Sequence, residues 1–236
     1  VRLLVLFDID GTLLSGATEA HRDAMYSALE EVHGIPAGSP ALRAVAPAGR
    51  TDPEIARAIL LAAGVSAERI DDRADAVRER CCRAYARLCP PDLSMFLLPG
   101  VPELLAWLRE REDVLLGLLT GNYEPVARLK LARAGIGGFF VPGQGAFGSD
   151  AEDRLALPHI ARRRAGRRGR PHPREQTIIV GDTPRDIACA RADGVRCVAV
   201  ASGPYPQSAL TDADAVVADA RGVREALAAE LRPPAG

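Results

Sequence analysis

Among 236 residues there is a single lysine, Lys130, so that arginine supplies the other 29 of the 30 basic side chains. This reads as coding bias before it reads as function. Aromatic residues make up 4% of the chain, with one tryptophan, too few to interleave with basic residues as a stacking surface for single-stranded nucleic acid requires. The formal net charge is -1, which provides no global field to draw in DNA or an anionic membrane. Five cysteines, Cys81, Cys82, Cys89, Cys189 and Cys197, are odd in number and lack paired metal spacing. They argue against a disulfide scaffold and for a reduced, cytoplasmic compartment. No apolar run approaches membrane length, and the first, Leu3 to Phe7, is too short for a signal-peptide core. Internal repeats are also absent.

What is present is a soluble globular composition, 47% hydrophobic and 26% charged, in a chain long enough to bury a sizeable core. Short apolar runs alternate with helical segments, the pattern of a parallel sheet packed between helices. The runs are Leu3 to Phe7, Val114 to Leu119, Thr177 to Val180, Cys197 to Ala201 and the weaker Ala215 to Val217. Helix starts carry prolines at Pro102, Pro125 and Pro184, and stops carry Gly135 and Gly194. From about Gly16 to about Leu97 the chain reads as consecutive helices with no strand between them. His21, Met25, Ala28, Leu29 and Val32 share one stripe, and a Thr51/Asp52 cap precedes Pro53. The expected organisation is an α/β fold: a Rossmann-like parallel-sheet core (1–15 and 98–236) with a helical cap domain (16–97) inserted after the first strand. The biased segment "RRRAGRRGR", Arg162 to Arg170, reads as a solvated helix end and loop in preference to an RNA patch.

Three apolar runs end in polar residues: the first at Asp8 and Asp10, the second at Thr120, the third at Asp182 and Asp186. In an open parallel sheet those ends lie along one edge, where ligands bind at the point of strand-order reversal. Residues i and i+2 on an extended chain point to one side, so Asp8 and Asp10 would repel unless something uses them. Four carboxylates facing one cleft call for a cation, and oxygen ligands of this kind suit Mg2+ beside a phosphate. Each motif alone would pass as an ordinary turn or capped helix start. Their order, each at a strand end, is what points to a site.

"FDIDGTLL", "LLTGN" and "VGDTPRDIACARADG" resemble the first, second and fourth motifs of the haloacid dehalogenase-like hydrolase superfamily, in its phosphoglycolate-phosphatase-like branch. The resemblance implies that Asp8 is the nucleophile and Asp10 the general acid and base, with its backbone carbonyl also reaching Mg2+. It implies that Thr120, Gly121 and Asn122 hold phosphate oxygens, that Asp182 ligates the metal with Asp8, and that Asp186 supports it. The third motif departs from the pattern, because "GAFGSDAEDRLALPHIA" contains no lysine. Arg154 is the favoured substitute; Lys130 is its rival, with a snorkelling surface lysine as its plain alternative. In the cap, "APAGRTDPEI" offers Gly49 for close approach and Arg50 for a substrate, although a helix-capping loop explains the same residues equally well. His21 is expected to pack and not to catalyse.

The expected activity is Mg2+-dependent hydrolysis of a small phosphorylated metabolite through an aspartyl-phosphate. A sugar phosphomutase of the same superfamily is the enzymatic alternative, and a non-catalytic binding protein that keeps the fold is the other. Dehalogenation is disfavoured by Asp10, since a halide leaving group needs no acid. Membrane and nucleic-acid partners are not expected.

Overall fold

Leu3–Phe7 forms strand β1 with every residue buried, which is why it reads as an unbroken apolar run and not as an alternating one. The computed structural model describes residues 2–231; Val1 and residues 232–236, the outer ends of the expected core segments, lie outside the described residues. Five further strands join β1 in one parallel sheet: β2 (Val114–Thr120), β3 (Ala146–Phe147), β4 (Thr177–Gly181), β5 (Arg196–Val200) and β6 (Ala215–Val217). Their order is β3-β2-β1-β4-β5-β6, so the direction of winding reverses between β1 and β4. Phe7 pairs with Leu118 on one side and Val180 on the other. That register brings Asp8, Thr120 and Asp182 to one edge of the sheet.

Alternation along β1 divides the core. Leu3, Val5 and Phe7 pack with helices α4 (Val101–Arg109), α5 (Glu124–Arg133) and α8 (Ala220–Glu230). Leu4 and Leu6 pack with α6 (Leu157–Ala165) and α7 (Pro184–Asp193) on the opposite face. Helices therefore cover both faces of a sheet whose central strands have no wet side. Strand β3 has no counterpart among the runs expected from the sequence, because two residues are too few to show a period. β5 begins one residue earlier than its apolar run, at the half-buried Arg196.

Helices α1 (Glu19–His33), α2 (Asp52–Ala62) and α3 (Ala67–Leu88) form the cap. Thr51 and Ser66 start α2 and α3 by accepting from the backbone N–H groups of Glu54 and Arg69, and Gly34 ends α1 in the left-handed conformation. His21, Met25, Ala28 and Leu29 are buried as the stripe requires, while Val32 is half-buried. The chain leaves and re-enters the core side by side: Leu14 and Leu97 form an antiparallel bridge, Ser15 N–H donates to Phe96 at 2.8 Å, and Leu98 N–H to Leu13 at 3.1 Å. Two of the six arginines in Arg162 to Arg170 are not simply solvated. Arg162 is buried against Asp193 at 2.5 and 2.9 Å, and Arg164 pairs with Asp150 at 2.6 Å.

Candidate active site

β1 gives way to a turn that only glycine permits. Asp8 N–H still donates to Val180 at 2.9 Å, extending the sheet ladder by one residue, and Gly11 then turns the chain at φ 88°. A β-carbon on Gly11 would overlap the Asp182 carboxylate. Thr12 Oγ1 donates to Asp182 Oδ1 at 3.0 Å, which ties the first motif to the end of β4. Asp186 closes the capping box of α7: its Oδ2 accepts from Thr183 N–H at 3.0 Å and Thr183 Oγ1 at 2.7 Å.

Asp8, Asp182 and Asp186 are all buried, and one oxygen from each lies within 4.8 Å of the others. Burial, together with the Asp186 and Asp10 charges, lifts Asp8 to about 7 even though Arg154 pulls it down. Burial and the Asp8 and Asp186 charges lift Asp182 to about 8. These are carboxylates short of positive charge, and an oxygen-only donor set suits a hard divalent cation. The residues fit such an ion. The Asp10 side chain is not among them.

Asp8 and Asp10 are neighbours in sequence with different partners. Asp10 accepts from Lys130 Nζ at 2.8 and 2.7 Å and from Asn122 Nδ2 at 3.0 Å. Burial disfavours its charge, but the charge and hydrogen bonds of Lys130 outweigh that and hold Asp10 below the ordinary carboxylate range. Arg154, 4% exposed, sits in a short 3₁₀ turn, Arg154–Ala156. Its Nη2 lies 2.5 Å from Asp186 and 3.3 Å from Asp8. Although burial opposes its charge, the Asp186 and Asp8 carboxylates keep Arg154 firmly protonated.

The reading of Lys130 as a surface residue is overturned: its side chain is fully buried, against Asp10 and not against Asp8. Arg154 is the cation beside Asp8. Thr120 is buried at the end of β2, with its Oγ1 accepting from Asn122 N–H at 3.3 Å. Gly121 meets the cap directly, since the Arg50 carbonyl stands where a side chain at Gly121 would begin, and Asp52 N–H donates to Gly121 at 2.8 Å. The Arg50 guanidinium is engaged by Glu54 and by the Ala46 carbonyl. Two buried polar atoms at the site, Asn122 Oδ1 and Arg154 Nε, have no hydrogen-bond partner. Beside Arg154 lies an open cleft of about 540 Å³, lined also by Glu54, Glu152, Asp153 and Arg185.

His21 and Asp52 escaped notice as site residues. His21 Nε2 lies 3.0 Å from Asp52 Oδ2, and Nδ1 lies 3.4 Å from Lys130 Nζ. Their sequence separations of 31 and 109 positions leave no local signal. Only the burial of Lys130 on a helix already carrying apolar residues would have drawn attention to them.

A doubly wound parallel sheet with carboxylates at its switch point, one beside an arginine and the next beside a lysine, defines a hydrolase using an aspartate-rich centre under a cap. The chain belongs to the haloacid dehalogenase-like hydrolase family, whose model matches residues 5–191. Over 203 residues it is 29% identical to a phosphoglycolate phosphatase of Pseudomonas fluorescens, spanning 85% of this chain and 70% of that protein. It is 32% identical over 204 residues to one from Rhodospirillum rubrum, spanning 84% and 79%. The fold resembles that of a β-phosphoglucomutase from Clostridium difficile, with a TM-score of 0.68 at 17% identity over 98% of this chain and 96% of that one.

Proposed function

We propose that this chain hydrolyses a small phosphomonoester in a Mg2+-dependent reaction, with Asp8 as nucleophile and a core of residues 1–15 and 98–236 working beneath a cap of residues 16–97. The chain is a phosphatase. The observation that carries the assignment of roles is the unequal setting of the paired aspartates: Asp8 lies in the Asp182/Asp186 cluster beside Arg154, whereas Asp10 is held by Lys130 and Asn122. Asp8, Asp182 and Asp186 would hold the cation, together with the Asp10 carbonyl. A bound divalent cation supplies neutralising charge to the carboxylates and phosphate.

Asp8 Oδ attacks phosphorus and the ester P–O bond breaks; Asp10, which Lys130 favours as the carboxylate, must first take up a proton from solvent or from the monoanionic phosphate of the substrate, and passes it to the departing oxygen. Water, deprotonated by Asp10, then hydrolyses the aspartyl-phosphate and restores Asp8. Arg154 balances charge on Asp8 and the phosphoryl group. Thr120 Oγ1 and the amides of Gly121 and Asn122 bind phosphoryl oxygens at the start of α5. The orphaned Asn122 Oδ1 and Arg154 Nε support a pocket that expects a further polar partner.

The cleft beside Arg154 borders the site but is lined by neither Asp8 nor Asp10. Arg50 and Arg185 stand near it, both drawn to Glu54, and are the cations an acidic leaving group would recruit. Phosphoglycolate, the substrate in the names of the relatives, is therefore the first ester to test. Five free cysteines support a reduced, cytoplasmic setting, and no described helix is long and apolar enough to cross a membrane. The test is phosphate release from phosphoglycolate and p-nitrophenyl phosphate, with Mg2+ or EDTA, by the wild type and Asp8→Asn. Release should require the metal and vanish in the variant; release that survives Asp8→Asn would overturn the assignment.

A further inference from the structure

The six arginines between Arg162 and Arg170 divide into anchors and free groups. Arg162 is buried against Asp193; its Nη1 donates to the His172 carbonyl at 2.6 Å, and its own carbonyl accepts from His172 N–H at 2.8 Å. Arg164 pairs with Asp150. These contacts brace both feet of a short hairpin that is bridged at Arg167 and Arg170 and closed by the Arg170 N–H, which donates to the Arg167 carbonyl at 3.1 Å. A β-carbon on Gly166 would overlap the Arg170 carbonyl, so the base of the hairpin closes only around glycine. The other four, Arg163, Arg167, Arg168 and Arg170, are exposed. None of them has an acidic partner among the described residues, whereas Arg162, Arg164 and Arg174 each have one. No acidic residue occurs from Arg163 to Arg174.

The tip of this hairpin is strained. Arg168 has φ 53° and Gly169 φ 74°, the two positive values that a type I′ turn requires. Asparagine, aspartate and glycine accept the first of these positions readily, and an arginine there works against folding. Among the described residues Arg168 is the one non-glycine residue with positive φ. A strained residue whose guanidinium is held by nothing in its own chain calls for a reason outside that chain.

The hairpin leads into β4 at Thr177, whereas Asp182 follows the other end of the same strand. It therefore stands at the opposite edge of the sheet from the candidate active site. Guanidinium groups bind phosphate oxygens in pairs, and duplex DNA offers one phosphate charge per about 1.7 Å of its axis. The scarcity of aromatics excludes stacking on single-stranded bases, and the net charge of -1 excludes a global field. Neither bears on a local arm that meets phosphates. An anionic membrane is the poorer fit, because the hairpin carries Gly166, Gly169 and Pro171 and no large apolar side chain to enter lipid.

We infer that the braced hairpin of residues 166–171, together with Arg163, is a docking arm for the phosphate backbone of a nucleic-acid duplex. Docking there leaves the active-site edge open. The sequence pattern, read as a solvated helix end and loop, shows neither the brace nor the strained tip.

The test is fluorescence anisotropy of the full chain with a labelled DNA duplex in EDTA, as salt is raised from about 50 to about 200 mM. Four phosphate contacts give a slope of about -3.6 in log affinity against log salt, or about 150-fold weaker binding across that range. In Arg167→Ser/Arg168→Gly/Arg170→Ser the slope should fall to about -1, and affinity at the lowest salt should drop at least about 10-fold. Arg168→Gly alone should bind more weakly yet melt no lower than the wild type, since glycine accepts φ 53° without strain. Absence of wild-type binding at the lowest salt, or a slope unchanged in the triple variant, would overturn the inference. Vesicles of anionic phospholipid that bind as tightly as the duplex, and lose that binding in the same variant, would reassign the arm to membranes. An Arg168→Gly protein that melts lower and binds as before would also overturn it, because the arginine would then serve folding.

Discussion

The buried carboxylates make stability depend on pH and metal together. Asp8 and Asp182, ordinarily near 3.8, are raised to about 7 and about 8 in the metal-free fold. Folded protein therefore holds protons that the unfolded chain has released, and stability falls as pH rises from about 4 through 8. Between pH 5.5 and 8.5 Asp8 alone accounts for about 2 kcal/mol and Asp182 for about 3 kcal/mol, at 1.36 kcal/mol per pH unit. The two share one mutual repulsion and do not add, so about 3 kcal/mol is the working figure. For a chain of this size that corresponds to about 6 to 12 °C in Tm.

The assay is thermal melting in EDTA or Mg2+ at both pH values, for the wild type and Asp182→Asn. In EDTA the wild type should melt lower at pH 8.5 than at 5.5, and Mg2+ should raise Tm most at pH 8.5. His33 and His172, held below their ordinary values by burial, act in the opposite sense below pH 7. The deciding quantity is therefore the difference between wild type and Asp182→Asn. The variant should be the more stable of the two in EDTA at pH 8.5 and gain little from Mg2+. A difference that does not widen with pH, or a Mg2+ effect equal at both pH values, would refute the reasoning.

Two further substitutions probe features away from the carboxylates. In Gly121→Ala the methyl group would run into the Arg50 carbonyl and Thr51 Cα, so the cap cannot seat; kcat/KM should drop at least about 10-fold, roughly 1.4 kcal/mol of lost transition-state stabilisation. Arg162→Met strands the buried Asp193 carboxylate and the His172 carbonyl, and should cost about 3 to 5 kcal/mol in urea unfolding with activity per folded molecule preserved.

Much of the frame was legible because it is written in local pattern. β1 and β6 begin and end where their runs of residues say, since apolar continuity and the breakers on either side all lie within a few positions of one another. Strand-end residues Asp8, Thr120, Asp182 and Asp186 were legible for the same reason, once a parallel sheet was granted. Arg154 was reachable by noticing that a cation was missing from its usual place. Lys130 was weighed only as a rival to Arg154 or as a surface lysine, because its depth depends on the cap helices packing on α5, a contact with no trace in the pattern of "YEPVARLKLARAG". For Arg50, held evenly between a substrate contact and a capping loop, the partner Glu54 one turn away was visible, but the eventual pairing of two surface-capable side chains was not.

The paired crossing at Leu14 and Leu97 gives the cap an unusual kind of independence. Eighty-odd residues depart and return through neighbouring positions of a two-stranded stalk, so the core sees the whole excursion as if it were the tip of a hairpin. A short turn would bridge the same two ends without rerouting any strand of the sheet. The excursion is therefore joined to the sheet at one seam, Leu14 beside Leu97, and its length can vary there without disturbing the strands.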